Sequence, residues 1–94
     1  MENTNIVLLT SINYFQWKSH MEDLLRSKGL YKITLGIETT PDDDKKKDKW
    51  ENKNDQDHGL IGMSIWLDLR FHLDGEDSPV KAWEKLNTVF GIKN

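Results

Sequence analysis

Apolar and polar side chains follow a helical period between residues 13 and 28. The apolar members fall on one side of the predicted helix, at Tyr14, Trp17, Met21, Leu24 and Leu25. Asn13 is a favourable N-cap, and Gln16 stands three residues later, in a position like that of a capping-box partner. Gly29 follows, and a glycine in the left-handed conformation commonly closes a helix. The pattern predicts an amphipathic helix against which the rest of the chain packs.

Two further helices are predicted in the middle of the chain. Residues 30–35 lie between two glycines and alternate well enough to be a strand, but we favour a short helix because nothing else resembles a sheet. Thr40 and Pro41 then mark a helix start as N-cap and first helical residue, and three aspartates follow where the helix dipole favours them. This pattern runs to residue 65. Its two glycines, at 59 and 62, indicate close helix packing or a kink.

The last third of the chain predicts one or two more helical segments. Residues 66–73 continue the apolar pattern, either as the end of the preceding helix or as a separate one. Ser78 and Pro79 begin the final helix, over 79–90, and Gly91 ends it.

The predicted architecture is an all-α compact bundle of four to five short helices. It forms one domain over residues 13–91, with an N-terminal arm at 1–12 and a tail at 92–94. A chain of 94 residues buries roughly 60–68% of its unfolded surface, so one modest core is possible. The expected core residues are Tyr14, Trp17, Met21, Leu24, Leu25, Trp50, Ile61, Ile65, Trp83, Leu86 and Phe90.

Composition narrows the classes of partner. The net charge is −3, and Lys45, Lys46, Lys47 and Lys49 are interleaved with aspartates. We therefore expect a solvated helix face with i,i+4 ion pairs and no direct binding of nucleic acid, which needs clustered basic residues. No signal peptide and no membrane-spanning run is recognisable, so we expect a soluble, cytoplasmic protein without membrane contact.

Side chains with catalytic or metal-binding chemistry form no recognised motif. The chain has no cysteine, and His20, His58 and His72 have no metal-ligand spacing. Asp57 falls on the apolar side of its helix, where we expect a buried or interfacial hydrogen-bond acceptor; a catalytic role would have no other support. The serines lack the glycines of a nucleophile elbow. We predict no enzyme activity, no metal and no cofactor.

The apolar segments IVLL and WLDLRF offer more surface than so small a bundle can cover. Exposed apolar patches mark interfaces, and symmetric dimers commonly bury them. The candidate interface residues are Ile6, Val7, Leu8, Leu9, Tyr31, Trp66, Leu67 and Phe71. The IVLL arm either docks on its own core or on a second copy. We predict a homodimer or higher oligomer; the alternative is a module that holds a peptide or partner protein, with Trp66 or Tyr31 as an aromatic anchor.

The order of these blocks resembles a known family. NYFQWKSHMEDLLRSKGLYKITLG, GLIGMSI, DLRFHL and AWEKLNTVFG are similar to the N-terminal capsid-like part of the Gag polyprotein of plant copia-type LTR retrotransposons. The chain departs from that family at Ile12, where a glycine is usual, and at Trp66-Leu67, where a Ser-Pro pair is usual. These 94 residues hold no zinc knuckle, protease, integrase or reverse transcriptase.

The resemblance implies an all-helical capsid N-lobe that assembles with copies of itself into particles packaging the RNA of the element. Its partners would be itself and related Gag chains. A host protein derived from such a lobe could instead bind a host protein or peptide, or interfere with Gag assembly by co-assembling with it.

Overall fold

The computed structural model describes residues 6–92. In this part of the chain it has four α-helices, α1 (Tyr14–Ser27), α2 (Tyr31–Thr34), α3 (Asp44–Met63) and α4 (Pro79–Phe90), and a 3₁₀ helix (Leu67–Leu73) between α3 and α4. No strand is present between residues 6 and 92, where the only extended pairing is an isolated parallel bridge from Leu9 to Ile65. The all-α prediction is confirmed. Residues 1–5 of the predicted arm and 93–94 of the predicted tail lie outside the described residues.

The turn before α1 differs from the prediction. The Asn13 side chain makes no capping hydrogen bond to α1. Its Oδ1 instead accepts from the Thr10 backbone N–H at 2.7 Å, and its Nδ2 donates to the Leu8 carbonyl at 2.9 Å. Asn13 therefore ties the N-terminal arm to the start of α1. At the other end Gly29 has a φ of +71°, which closes the helix as predicted.

Helix α3 starts later than predicted, at Asp44 rather than Pro41. Asp43 is the N-cap: its backbone is extended and its carboxylate accepts from the Lys45 N–H at 2.9 Å. Aspartate is a better N-cap than threonine, so Asp43, the second of the three aspartates, takes the role that we assigned to Thr40.

Helix α3 and the 3₁₀ helix are two separate elements. Of the two possibilities that the sequence left open within residues 41–73, residues 66–73 are therefore a separate segment and not the end of the preceding helix. The break follows Met63. Ser64 caps the last turn through its N–H, which bonds to the carbonyl of Leu60, and Leu9 then pairs with the chain on both sides of Ile65. The arm thus takes over the backbone hydrogen bonds that a continued helix would have made.

The core lies where α1, α2, α4 and the second half of α3 meet. Eight of the expected core residues are buried there: Tyr14, Trp17, Met21, Leu25, Ile61, Ile65, Trp83 and Leu86. Leu24 and Phe90 are half-buried at its edge. Four further apolar side chains are buried that we did not include: Leu9, Leu30, Ile33 and Ala82.

Trp50 is a correction to the predicted core. It is only half-buried, and no residue of α3 before Asp57 is buried. Its indole N–H donates to the Glu38 carbonyl at 3.3 Å, and the ion pair of Lys53 with the Glu38 carboxylate lies beside it, also at 3.3 Å. Trp50 therefore packs the α2–α3 linker onto the first half of α3, away from the main core. No helix of the described chain is long and apolar enough to cross a membrane.

Candidate interaction surface

The N-terminal arm is docked on the core of its own chain. The Leu9 N–H donates to the Ser64 carbonyl at 2.7 Å, and the Trp66 N–H donates to the Leu9 carbonyl at 3.0 Å. The Leu9 side chain is fully buried, so Leu9 is not an interface residue as predicted but a core residue. The two residues before it, Val7 and Leu8, are partly exposed. The arm therefore has one side on the core and one side in solvent.

The start of the 3₁₀ helix continues this exposed side of the arm. Trp66 is 48% exposed and Leu67 73% exposed, and both follow directly after the residue that pairs with Leu9. Phe71, 61% exposed, lies four residues after Leu67 in the same helix, and its ring centroid is 4.0 Å from that of His72. We call the exposed residues Val7, Leu8, Trp66, Leu67 and Phe71 the arm–helix surface. Ile6, which we expected among them, is half-buried.

A shallow groove of about 450 Å³ lies beside Trp66. Its lining residues are Thr10, Ser11, Trp66, Asp68 and Leu69. The Trp66 indole N–H donates to the Asp68 carboxylate at 3.3 Å, which orients the ring at the edge of the groove. The arm–helix surface therefore has an aromatic side chain held in place next to a concave site.

Tyr31 lies in a different groove, with Arg26, Lys32 and Glu38 in its lining, and not on the arm–helix surface. Its hydroxyl donates to the Glu22 carboxylate at 2.6 Å, and the Arg26 guanidinium lies 4.5 Å above its ring. Burial, followed by the hydrogen bond to Glu22, raises the pKa of Tyr31 to about 12, so its hydroxyl stays protonated. Tyr31 is thus engaged with α1 and is poorly suited to be the anchor that we considered.

The chain matches no known family, curated protein or solved structure. The resemblance to copia-type Gag therefore stays a prediction from the sequence blocks.

A third groove, of about 760 Å³, separates the second half of α3 from the 3₁₀ helix. It has charged residues of both signs, among them Asp55, Arg70 and Glu76. Gly59 and Gly62 line it, and a Cβ built on Gly59 would meet no atom within 4 Å. A Cβ on Gly62 would meet only the Arg70 guanidinium, at 3.7 Å, so neither glycine is required by close helix packing.

The histidines and lysines form no site in the described chain. His58 Nε2 lies 3.0 Å from the Glu76 carbonyl, and His72 packs edge-on against Phe90. No group of three metal-ligating side chains occurs among residues 6–92. The ion pairs within this range lie elsewhere than 42–49, so the i,i+4 pairs expected for that run do not form. Its four lysines are exposed.

Asp57 is a buried hydrogen-bond acceptor, as predicted. Its side chain is fully buried, and its Oδ2 accepts from the Thr34 hydroxyl at 2.6 Å. Burial raises the pKa of Asp57 to about 6, although the Thr34 hydrogen bond and the charge on His58 both act to lower it. Sequence reasoning did not identify Thr34 as the partner. The available signal was a polar residue, Thr34, on the side of residues 30–35 that also carries Leu30 and Ile33.

Proposed function

We propose that this protein is a structural, non-enzymatic protein that associates with copies of itself through the arm–helix surface. The observation that carries the proposal is the exposed apolar side of the arm next to Trp66 and Leu67. Tryptophan and neighbouring apolar residues beside a groove are typical of the centre of protein–protein interfaces. In a two-fold dimer the arm–helix surfaces of two chains face each other. The proposed partner of this surface is therefore a second copy of the chain.

The resemblance to copia-type Gag supports the same function. It implies a capsid N-lobe, of an element or of a host protein derived from one, whose role is assembly in the cytoplasm with itself and related Gag chains. Trp66-Leu67, where this chain departs from the family pattern, belongs to the arm–helix surface and follows the residue that pairs with Leu9. The departure adds apolar side chains at the position where we propose contact.

The test is the solution mass by light scattering over a concentration series. We expect a species larger than a monomer that grows with concentration, and we expect Trp66→Asp to dissolve it because a buried charge opposes association. Ile37→Asp is the matched control, since Ile37 is 67% exposed in the linker before α3. A wild-type monomer at every concentration would contradict self-association, and a dimer unaffected by Trp66→Asp would contradict this surface.

A second function is favoured by the groove beside Trp66. A volume of about 450 Å³ could take one or two apolar side chains of a peptide or partner protein. In this alternative the chain is a Gag-derived binding module, which could also interfere with Gag assembly. This binding-module function becomes the leading proposal if two results are found together. The wild type is a monomer, and a Gag-type protein binds the wild type but not the Trp66→Asp variant.

A further inference from the structure

The contact between Asp57 and Thr34 joins α3 to α2 inside the core. Both side chains are buried, with Asp57 fully excluded from solvent and Thr34 only 1% exposed. α2 has just four residues, and its ends at Leu30 and Leu35 have no side-chain cap. The hydrogen bond from Thr34 to Asp57 is therefore a principal polar link between α2 and the rest of the molecule.

The Thr34 hydroxyl has two acceptors and one proton. Its Oγ1 lies 2.6 Å from Asp57 Oδ2 and 3.2 Å from the Leu30 carbonyl oxygen. When Asp57 is ionised, the hydroxyl can donate to only one of them. When Asp57 is protonated, its Oδ2–H can donate to Thr34 Oγ1 while Thr34 donates to Leu30, so both short contacts become hydrogen bonds. The pair therefore keeps a hydrogen bond in both protonation states, and the cost of burying the carboxyl is what differs between them.

The other oxygen of the carboxyl favours the protonated state. Asp57 Oδ1 is buried and has no hydrogen-bond partner in the described chain. An unpartnered oxygen that shares a full negative charge costs more to bury than the carbonyl oxygen of a neutral acid.

Few charges act against this preference. The Thr34 hydrogen bond and, after it, the charge on His58, the next residue on α3, act to lower the pKa of Asp57. On α2, Lys32 is exposed and the Tyr31 hydroxyl is bound to Glu22. The charged residues of α4 are exposed, at Lys81, Glu84 and Lys85, and its buried residues are apolar or proline.

We propose that the buried Asp57–Thr34 pair is a proton-controlled latch between α3 and α2: the fold buries the carboxyl at low cost when Asp57 is protonated, and burial of the charge destabilises the fold when Asp57 ionises. The proposal does not rest on self-association. Because the folded chain holds the proton more tightly than the unfolded chain, the latch stabilises the fold fully below the ordinary pKa of 3.8 and loses this effect as pH rises through about 6. The unfolding equilibrium constant should change by up to about 100-fold across this window.

The test compares urea unfolding from pH 4 to 7.5 for the wild type, Asp57→Asn and the matched control Asp55→Asn, which removes an exposed acid from the same helix. We expect the wild type and Asp55→Asn to lose stability between pH 4 and 6.5. Asp57→Asn, whose amide can donate to Thr34 at any pH, should lack this loss. A loss caused by His58 would persist in Asp57→Asn and would overturn the latch.

Two further measurements keep the proposal testable if Asp57→Asn does not fold. The Asp57 carboxyl carbon, followed by NMR in the wild type, should titrate well above 3.8; a titration near 3.8 would overturn the proposal. Thr34→Val keeps the side-chain shape and removes the hydroxyl, so its unfolding constant at pH 4.5 should rise about tenfold. A Thr34→Val variant as stable as the wild type at that pH would show that no latch exists.

Discussion

The indole Nε1–H of Trp17 lies 3.1 Å from both the carbonyl oxygen and the hydroxyl oxygen of Ser64, at the point where α3 ends. Ser64 is fully buried, and its carbonyl also accepts the backbone N–H of Leu9. One residue therefore joins α1, the end of α3 and the N-terminal arm. The largest fully buried side chain of the protein supplies the donor.

Trp17→Phe should destabilise the protein by about 2 kcal/mol. The change leaves a cavity and removes a donor from two buried oxygens. Urea unfolding followed by circular dichroism measures the effect without relying on tryptophan fluorescence. Trp66→Phe is the control, because Trp66 is half exposed. The unfolding free energy of this variant should stay within about 0.5 kcal/mol of the wild-type value. Equal effects at the two positions would contradict the role assigned to Trp17.

Leu9→Ala should cost about 2–4 kcal/mol, because it removes a fully buried side chain and leaves a cavity between the arm and the core. Leu8→Ala alters the adjacent, partly exposed residue and should cost less than about 1 kcal/mol. Thermal unfolding of both variants gives the comparison. If Leu8→Ala were the more damaging, the arm would be docked in the opposite register.

Gly59→Ala should stabilise the protein by about 0.5–1 kcal/mol. Gly59 lies within α3, and a Cβ there meets no atom within 4 Å, so alanine gains helix propensity without a clash. Gly29→Ala is the opposing control because Gly29 has a φ of +71°, which alanine adopts only with strain. Chemical denaturation should move the two midpoints in opposite directions, and a destabilised Gly59→Ala would indicate packing against this position.

Alanine at Lys45, Lys46, Lys47 and Lys49 should leave affinity for RNA unchanged, because these exposed lysines stand among aspartates. Titration of a labelled RNA at several salt concentrations measures this. A matched set replaces Lys28, Lys32, Lys81 and Lys85, which are also exposed. A loss confined to the first set, with a steep salt dependence, would establish an RNA contact there.

Several elements of the fold could be predicted because local chemistry decides them. The period of α1, the glycine that closes it, and Ser78 with Pro79 at the start of α4 all act within one helical turn, and the structure has them as expected. The N-cap of α3 was misplaced because several good caps stand in a row there, and their relative strength decides the start.

The apolar side of α3 predicted the burial of Asp57 but not its hydrogen-bond partner. Its position on the apolar side of α3 indicated a buried acceptor, and the structure confirms it. The donor, Thr34, is 23 residues away, and no period along the chain relates the two. Tyr31 shows the reverse: a tyrosine that the sequence offers as a free anchor is held by Glu22 and Arg26 of α1.

The sequence by itself determined the all-α class and most of the buried face of α1 and α4, because helical period and end signals are local properties. Only the tertiary structure decided which apolar residues outside those faces are buried. Leu9 and Leu8 have the same side chain and adjacent positions, yet pairing with the chain around Ile65 turns one into the core and the other into solvent. That choice depends on contacts between segments more than fifty residues apart.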